Sequence, residues 1–312
     1  MSTPGPDEGT REPLKHRFEF LLFRVVRGGM SLLPEPIAVR LGAWMGGFAG
    51  SVLRIRRKEV DQHLEWAFPE MSASERARLA RRSYRHLGRE ATVLFRFDRW
   101  SREDILERIE IVGLDALVKA LNPGQGALLL SGHLGNWEVG GAALAVRGIP
   151  VVAVAKGMAN RRFERDLFAA RERLGLGVME MGDASRQVLR SLRGGWVVAI
   201  AGDQNAHRNG VFVPFFGRPA ATARGAAMFA VRTGAPVFVG FSTREPGWGQ
   251  RYTFRIEPLV FEPTGDLEAD VVAFTAAYIA HVEAAVLAHP DQYFWQHKRW
   301  KTRPPQELPP SV

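Results

Sequence analysis

The chain has 312 residues, 42 of them Lys or Arg and 33 Asp or Glu, for a formal charge of +9, and it contains no Cys. At 46% hydrophobic and 24% charged it is globular rather than disordered, with length for one large domain or two modest ones. The missing Cys excludes disulfides, thiolate metal sites, iron–sulfur clusters and a Cys nucleophile, while the positive charge asks for an acidic partner without choosing among nucleic acid, anionic lipid and acidic protein.

Residues 1–13 are polar and rich in Pro and Gly, and are expected to be disordered. They lack the basic start and apolar run of a signal peptide. From His16 to Leu33, Phe18, Leu21, Leu22, Val25 and Val26 recur at helical spacing, with Arg17, Arg24 and Arg27 on the other side. This pattern predicts a basic amphipathic helix, too short and too interrupted by charge for a bilayer that needs roughly 20 apolar residues. The next apolar stretch, Leu41 to Leu53, covers roughly 20 Å, short of a hydrocarbon core of about 30 Å. Its four glycines suit either a core helix pair or a monotopic element. The basic run from Arg54 to Lys58 favours the second, because such charges gain about 1 kcal/mol each near anionic lipid.

Residues 14–108 read as helical throughout, and Ser72 to Phe97 opens with the capping-box pair Ser72 and Glu75. From 109 to 304 short apolar runs alternate with helical ones. Strands are predicted at Ala127–Leu130, Val151–Ala155, Trp196–Ala201, Pro236–Phe241 and Tyr252–Ile256. Helices are predicted at Trp137–Val146, Arg161–Leu174, Ser185–Leu192, Arg224–Thr233 and Leu267–Ala288. The alternation implies an α/β fold, a mostly parallel mixed sheet flanked by helices, preceded by a helical membrane-associated region. Tyr252–Ile256 alternates apolar and polar residues and is expected to be an antiparallel edge. Residues 305–312 form a Pro-rich tail expected to be loose.

The segment Leu128 to Glu138 carries the chemistry. An apolar strand runs into Ser131-Gly-His133 and a helix follows from about Asn136, so His133 lies at a strand's carboxyl end, where ligands bind in such folds. Five helical residues turn about 500°, so His133 and Glu138 meet only if the histidine precedes the helix. Gly132 and Gly135 permit that turn. Glu138 would then fix the imidazole tautomer, leaving the other nitrogen as a base. A structural His and a first-turn Glu favoured by the helix dipole fit the spacing equally well. The sequence lacks a Gly-x-Ser-x-Gly elbow, a His-Glu-x-x-His motif, a P-loop and a dinucleotide fingerprint, so neither a metal nor a cofactor is expected. A base without a protein nucleophile suits a substrate hydroxyl attacking an activated acyl group.

His133-Leu-Gly-Asn-Trp-Glu138 resembles the His-x4-acidic motif of the glycerolipid acyltransferase superfamily, and in particular the bacterial lipid A biosynthesis (lauroyl/myristoyl) acyltransferase family. Three further blocks match in order: Asp61 to Ser72, Gly202 to Thr222, and Pro290 to Arg303. The resemblance implies transfer of a fatty acyl chain from acyl carrier protein or coenzyme A to a hydroxyl of a phosphorylated glycolipid. A lipid A precursor is favoured; a lysophospholipid, a phosphatidylinositol mannoside or an amino-acid lipid is the alternative, and a non-catalytic lipid- or nucleic-acid-binding protein is a more distant one. It implies the cytoplasmic face of a bacterial inner membrane, an anionic membrane surface as partner, and no nucleic acid. His133 would deprotonate the acceptor and Glu138 orient it. Backbone N–H groups from Gly132 to Asn136 would serve the oxyanion. Arg171, with Arg173 as its rival, would contact acceptor phosphate or carbonyl, and Asp203 and Gln204 would line the site. Asn205 departs from the family, which commonly has an acidic residue there. Phe212, Phe215, Phe216 and Phe229 could line an acyl tunnel or simply be core, and the basic–aromatic block from Trp295 to Arg303 suits lipid headgroups.

Overall fold

A computed structural model describes residues 14–122, 124–181 and 184–304. The segments expected to be disordered or loose, 1–13 and 305–312, lie outside the described residues. Five helices come first: α1 (Leu14–Leu32), α2 (Glu35–Ser51), α3 (Arg57–Ala67), α4 (Ala73–Arg96) and α5 (Arg102–Arg108), with a 3-10 turn at Phe97–Arg99. The capping box of α4 forms as its sequence requires: Ser72 N–H donates to Glu75 Oε2 at 2.8 Å, and Glu75 N–H donates to Ser72 Oγ at 3.3 Å.

The packing of α2 on α4 depends on glycine. A Cβ at Gly46 would sit on the Tyr84 carbonyl oxygen, and one at Gly88 would strike the carbonyl of Gly42. The two backbones therefore touch, which no larger residue allows. The outer side of α2 leaves Trp44, Met45 and Phe48 exposed. α2 thus has a tightly packed inner side and an uncovered apolar outer side. In α1, Phe20 and Phe23 turn inward against Phe163, and Phe23 also meets Phe95, while Phe18, Leu21, Leu22 and Val25 stay exposed.

Seven strands form the main sheet: β1 (Ile109–Val112), β2 (Ala127–Ser131), β3 (Val151–Ala155), β4 (Gly177–Glu180), β5 (Val197–Ala201), β8 (Val237–Arg244) and β9 (Tyr252–Pro258), while β6 (Val211–Phe215) and β7 (Arg218–Thr222) form a separate hairpin. The sheet order is β1-β9-β8-β2-β5-β3-β4. Between and after the strands lie α6 (Leu114–Ala120), α7 (Trp137–Ala145), α8 (Arg161–Arg173), α9 (Ala184–Arg193), α10 (Gly225–Thr233) and α11 (Leu267–Ala288). Within the main sheet all pairs are parallel except β8 with β9. The expected antiparallel pairing of Tyr252–Ile256 is present, but the strand is not an edge, because β1 pairs along its far side. Four residues directly after a helix are too few for a strand period to show.

Leu128 and Leu130 of β2 point to α10 and α11, and Leu129 points to α7. This alternation divides the core into the two layers that sandwich the sheet. Among the described residues α11 is the one helix long and apolar enough to cross a membrane, yet Val271, Phe274, Ile279, Val282 and Val286 are buried in the domain core.

Gly46→Ala is expected to force α2 from α4 and lower stability by about 1–3 kcal/mol, despite the better helix propensity of Ala. Gly47→Ala, which meets only Arg85 Cγ at 3.4 Å, should be neutral or stabilising. Thermal unfolding of both variants checks this.

Candidate active site

The site follows from strand register. β2 and β5 run parallel, pair at Ser131 with Ala201, and both end there. Each chain continues with one glycine and then a functional residue: Gly132-His133 and Gly202-Asp203. His133 and Asp203 therefore emerge at equal depth from neighbouring strands. The His133 Nδ1 lies 2.6 Å from Asp203 Oδ1, and the His133 backbone N–H donates to Asp203 Oδ2 at 3.0 Å. The hydroxyl of Tyr278, on α11, donates to the Ser131 carbonyl and accepts from Gly202 N–H at 3.0 Å, tying the two strand ends together. Gly135 takes φ +63°, and a Cβ there would strike the Ser242 carbonyl. That close approach lets the Asn136 N–H reach the same carbonyl oxygen at 2.8 Å.

The pairing expected between His133 and Glu138 is not made. Asn136 caps α7, its Oδ1 accepting from Glu138 N–H and Val139 N–H, so Glu138 sits in the first helical turn and reaches across to α8. There Arg171 grips it with both arms, Nε donating to Oε2 at 2.7 Å and Nη2 to Oε1. Arg171 Nη1 is buried without a hydrogen-bond partner. Its rival Arg173 faces elsewhere, donating to the carbonyls of Phe97 and Trp100. The N–H groups of His133, Gly135 and Asn136, proposed for an oxyanion, are already engaged, by Asp203, Gln292 and Ser242. Gly132 leaves little room: a Cβ would lie 3.3 Å from Asp203 Oδ2.

His133, Trp137, Glu138, Arg171 and Gln204 line a cleft of about 760 Å³ whose apolar wall includes Leu129, Val154, Leu167 and Ile200. The candidate tunnel phenylalanines are not part of it. Phe215 is wholly buried against Tyr293 and Trp300, and Phe216 packs on Phe68 and Trp295. The block from Trp295 to Arg303 is divided: Trp295, Arg299 and Trp300 are buried, while Lys298, Lys301 and Arg303 are exposed. Arg299 donates to the Ala221 carbonyl at 2.7 Å and to Thr222 Oγ1 at 2.6 Å, so it braces the β6–β7 hairpin instead of facing headgroups.

The profile of the family described as bacterial lipid A biosynthesis acyltransferase matches residues 13–302. The chain belongs to this family. It is 28% identical over 275 residues to a lipid A biosynthesis lauroyltransferase of Escherichia coli K12, covering 87% of this chain and 88% of the relative. It is 25% identical over 287 residues to the lipid A biosynthesis myristoyltransferase of the same organism, covering 90% and 86%. A phosphatidylinositol mannoside acyltransferase of Mycobacterium tuberculosis H37Rv is 33% identical over 202 residues, covering 62% of this chain and 60% of that one. The protein is thus an O-acyltransferase.

In this acyltransferase the two central groups shift each other's protonation in opposite directions. Burial pushes Asp203 up, but the His133 charge, two hydrogen bonds from His133 and the nearby Arg299 outweigh it and keep the carboxyl below its ordinary range. Burial pushes His133 down, and the Asp203 charge, its hydrogen bond and Glu138 raise the imidazole above the ordinary 6.5. Nearby His297 is driven by burial down to about 4, and its Nε2 accepts the Asn205 N–H at 2.9 Å.

Sequence reasoning missed Glu90. It lies in the C-terminal half of α4, buried, and accepts from Arg244 Nε, Tyr252 Oη at 2.7 Å and Asn136 Nδ2 at 2.8 Å. Arg244, at the end of β8, also bonds Tyr252 and the Gly249 carbonyl. This cluster holds the side chain that caps α7. Its sequence signal is weak, a Glu at helical spacing from inward residues such as Leu79, Ser83, His86 and Val93.

Removing the Asp203 charge leaves burial as the dominant influence on His133. Histidine proton NMR should therefore find His133 titrating above 6.5 in the wild type and below it in Asp203→Asn. Asn136→Ala should cost about 1–2 kcal/mol in unfolding free energy, through loss of the cap and of one partner of Glu90.

Proposed function

We propose that this enzyme transfers a fatty acyl chain from an acyl-carrier-protein or acyl-coenzyme A thioester to a hydroxyl of a phosphorylated glycolipid, with a lipid A precursor as the favoured acceptor. The observation that carries the chemistry is the His133–Asp203 pair at the head of the cleft. An ionised Asp203 can only accept, so Nδ1 carries the proton and Nε2 keeps its lone pair. A non-catalytic lipid-binding protein would have no use for a buried carboxylate aimed at one imidazole nitrogen. The mannoside acyltransferases among its relatives support a phosphatidylinositol mannoside as the second acceptor class.

Nε2 takes the acceptor hydroxyl's proton as that oxygen attacks the thioester carbonyl carbon. A C–O bond forms, and the carbonyl oxygen becomes an oxyanion. The tetrahedral species collapses, the C–S bond breaks, and the imidazolium returns its proton to the thiolate, leaving an ester and a free thiol. Arg171 Nη1, buried in the cleft wall without a partner, is the donor available to the oxyanion or to an acceptor phosphate. Glu138 holds that guanidinium in place through its bidentate pair. It is a positioning residue, and so is Asn136 as the cap of α7. Gln204 contributes a polar group to the cleft wall, and Gly132 admits Asp203 beside the turn.

The enzyme works at the cytoplasmic face of an inner membrane. Phe18, Leu22 and Val25 of α1 and Trp44 and Phe48 of α2 are 68%, 55%, 64%, 61% and 40% exposed, more apolar surface than a monomer in water ordinarily leaves uncovered on adjacent helices. The basic run Arg54 to Lys58 follows immediately. This combination supports monotopic or peripheral attachment to anionic lipid.

Purified enzyme with labelled acyl donor and a panel of lipid acceptors tests the reading. His133→Ala should lower kcat by about 10² to 10⁴-fold while vesicle association is retained. Wild-type kcat/KM should climb with pH through a value above 6.5, since the base must shed its proton first. Near wild-type turnover in His133→Ala would remove the histidine as base, and failure to acylate any lipid hydroxyl would end the functional reading.

A further inference from the structure

A second cavity, of about 570 Å³, lies on the opposite side of α8 from the catalytic cleft. It is an open depression bordered by α1, the 3-10 turn after α4, and α8, and its charged lining is Arg24, Arg27, Asp98, Arg99, Asp166 and Arg173. Four cations face two carboxylates. Arg27 alone engages both acids, bonding Asp98 through Nη2 and Asp166 through Nη1 at 3.1 Å. Arg99 and Arg173 bond only neutral carbonyls, those of Ser31, Phe97 and Trp100. Among the described residues Arg24, Arg99 and Arg173 make no ion pair. Two positive charges are thus left over along this depression.

One more observation narrows the ligand. Asp98 Oδ1 is buried and accepts no hydrogen bond. A bare anion would leave that acceptor unsatisfied and repelled. A group with both a phosphate and hydroxyls satisfies both halves: the phosphate meets the arginines and a hydroxyl donates to Asp98. We propose that this cavity binds the phosphorylated sugar headgroup of a glycolipid. Its position suits the task. α8 sends Arg171 into the catalytic cleft and Arg173 into this cavity, so the two sites lie roughly 10 Å apart, one helix diameter and within the reach of a phosphosugar. The assignment to the acceptor rests on the acyl-transfer reading above; binding itself does not.

The test uses the full-length enzyme and Arg24→Glu, because Arg24 is exposed at the cavity and makes no ion pair that holds the fold. Arg17→Gln, an exposed charge on the same helix but outside the cavity, is the control. Phosphorus NMR titrations with glucose 1-phosphate and inorganic phosphate measure binding. Glucose 1-phosphate should bind several-fold more tightly than inorganic phosphate; Arg24→Glu should weaken it roughly tenfold, about 1.4 kcal/mol, and Arg17→Gln should leave it unchanged. Equal affinity for the two ligands would overturn the headgroup assignment. Equal loss in both variants would reduce the effect to surface charge and overturn the site. Arg24-dependent capture by phosphatidylcholine vesicles doped with phosphatidic acid, without glucose 1-phosphate binding, would overturn it in favour of bulk membrane phosphate. In acyl transfer, Arg24→Glu should raise the acceptor KM about tenfold with kcat unchanged for a phosphorylated glycolipid, and change neither for its dephosphorylated form. If no glycolipid is acylated but Arg24-dependent glucose 1-phosphate binding persists, the cavity stands and the acyl-transfer reading falls.

Discussion

A carboxylate that is 1% exposed governs this structure. Left alone, Asp203 would be several kcal/mol out of place in a protein interior. Its partners come from separate parts of the chain: the ring and backbone of His133 after β2, and the charge of Arg299 near the C-terminus. The register of β2 with β5 makes the first contact unavoidable, since both strands stop at the same rung and each adds one glycine before its functional residue. The ring of His133 is thus oriented by a sheet, which is a stiffer support than a loop.

Around that pair the interior is organised in successive polar contacts. Tyr278 joins the two strand ends, Gln292 accepts from Gly135, and the Phe294 N–H donates to the His133 carbonyl at 2.9 Å. On the other side Glu138 and Arg171 form a second, separate pair, with exposure of 7% and 8%. The site thus keeps two carboxylates for two tasks. One shifts the protonation of the imidazole, and the other holds a guanidinium whose remaining nitrogen is buried without a hydrogen-bond partner.

Much of this was legible in the sequence, for definite reasons. The apolar runs at 127–130, 151–155 and 196–201 are buried central strands, and the Ser72–Glu75 box starts α4 where expected. His133, Asp203 and Arg171 stand out because each ends or flanks a strong element. What escaped was whatever depends on distance in sequence. Spacing suggested Glu138 for the imidazole because it is five residues away, whereas the actual partner is 70 residues away and is chosen by register. The β6–β7 hairpin turns at Phe216 and Gly217, both at positive φ, without the Asn-Gly or Asp-Gly signal such turns ordinarily carry. The aromatic–basic block near the C-terminus looks like a surface pattern, and only its tertiary partners show that Trp295, Arg299 and Trp300 turn inward while Lys298, Lys301 and Arg303 stay outside.

The Glu90 cluster carries an implication for how the molecule can be divided. Secondary structure changes abruptly at Ile109, and the chain invites a cut there. Yet the acid that neutralises Arg244 and steadies the cap of α7 belongs to α4, on the far side of that boundary. Severing the helices would strand a buried guanidinium at the end of β8 and loosen the turn next to His133. The helices that offer apolar surface and the sheet that aims the imidazole therefore behave as one mechanical piece. Exchanging the first hundred residues between relatives would change the reactive end of the enzyme along with its outer surface, unless residues at 90, 136 and 244 travel together.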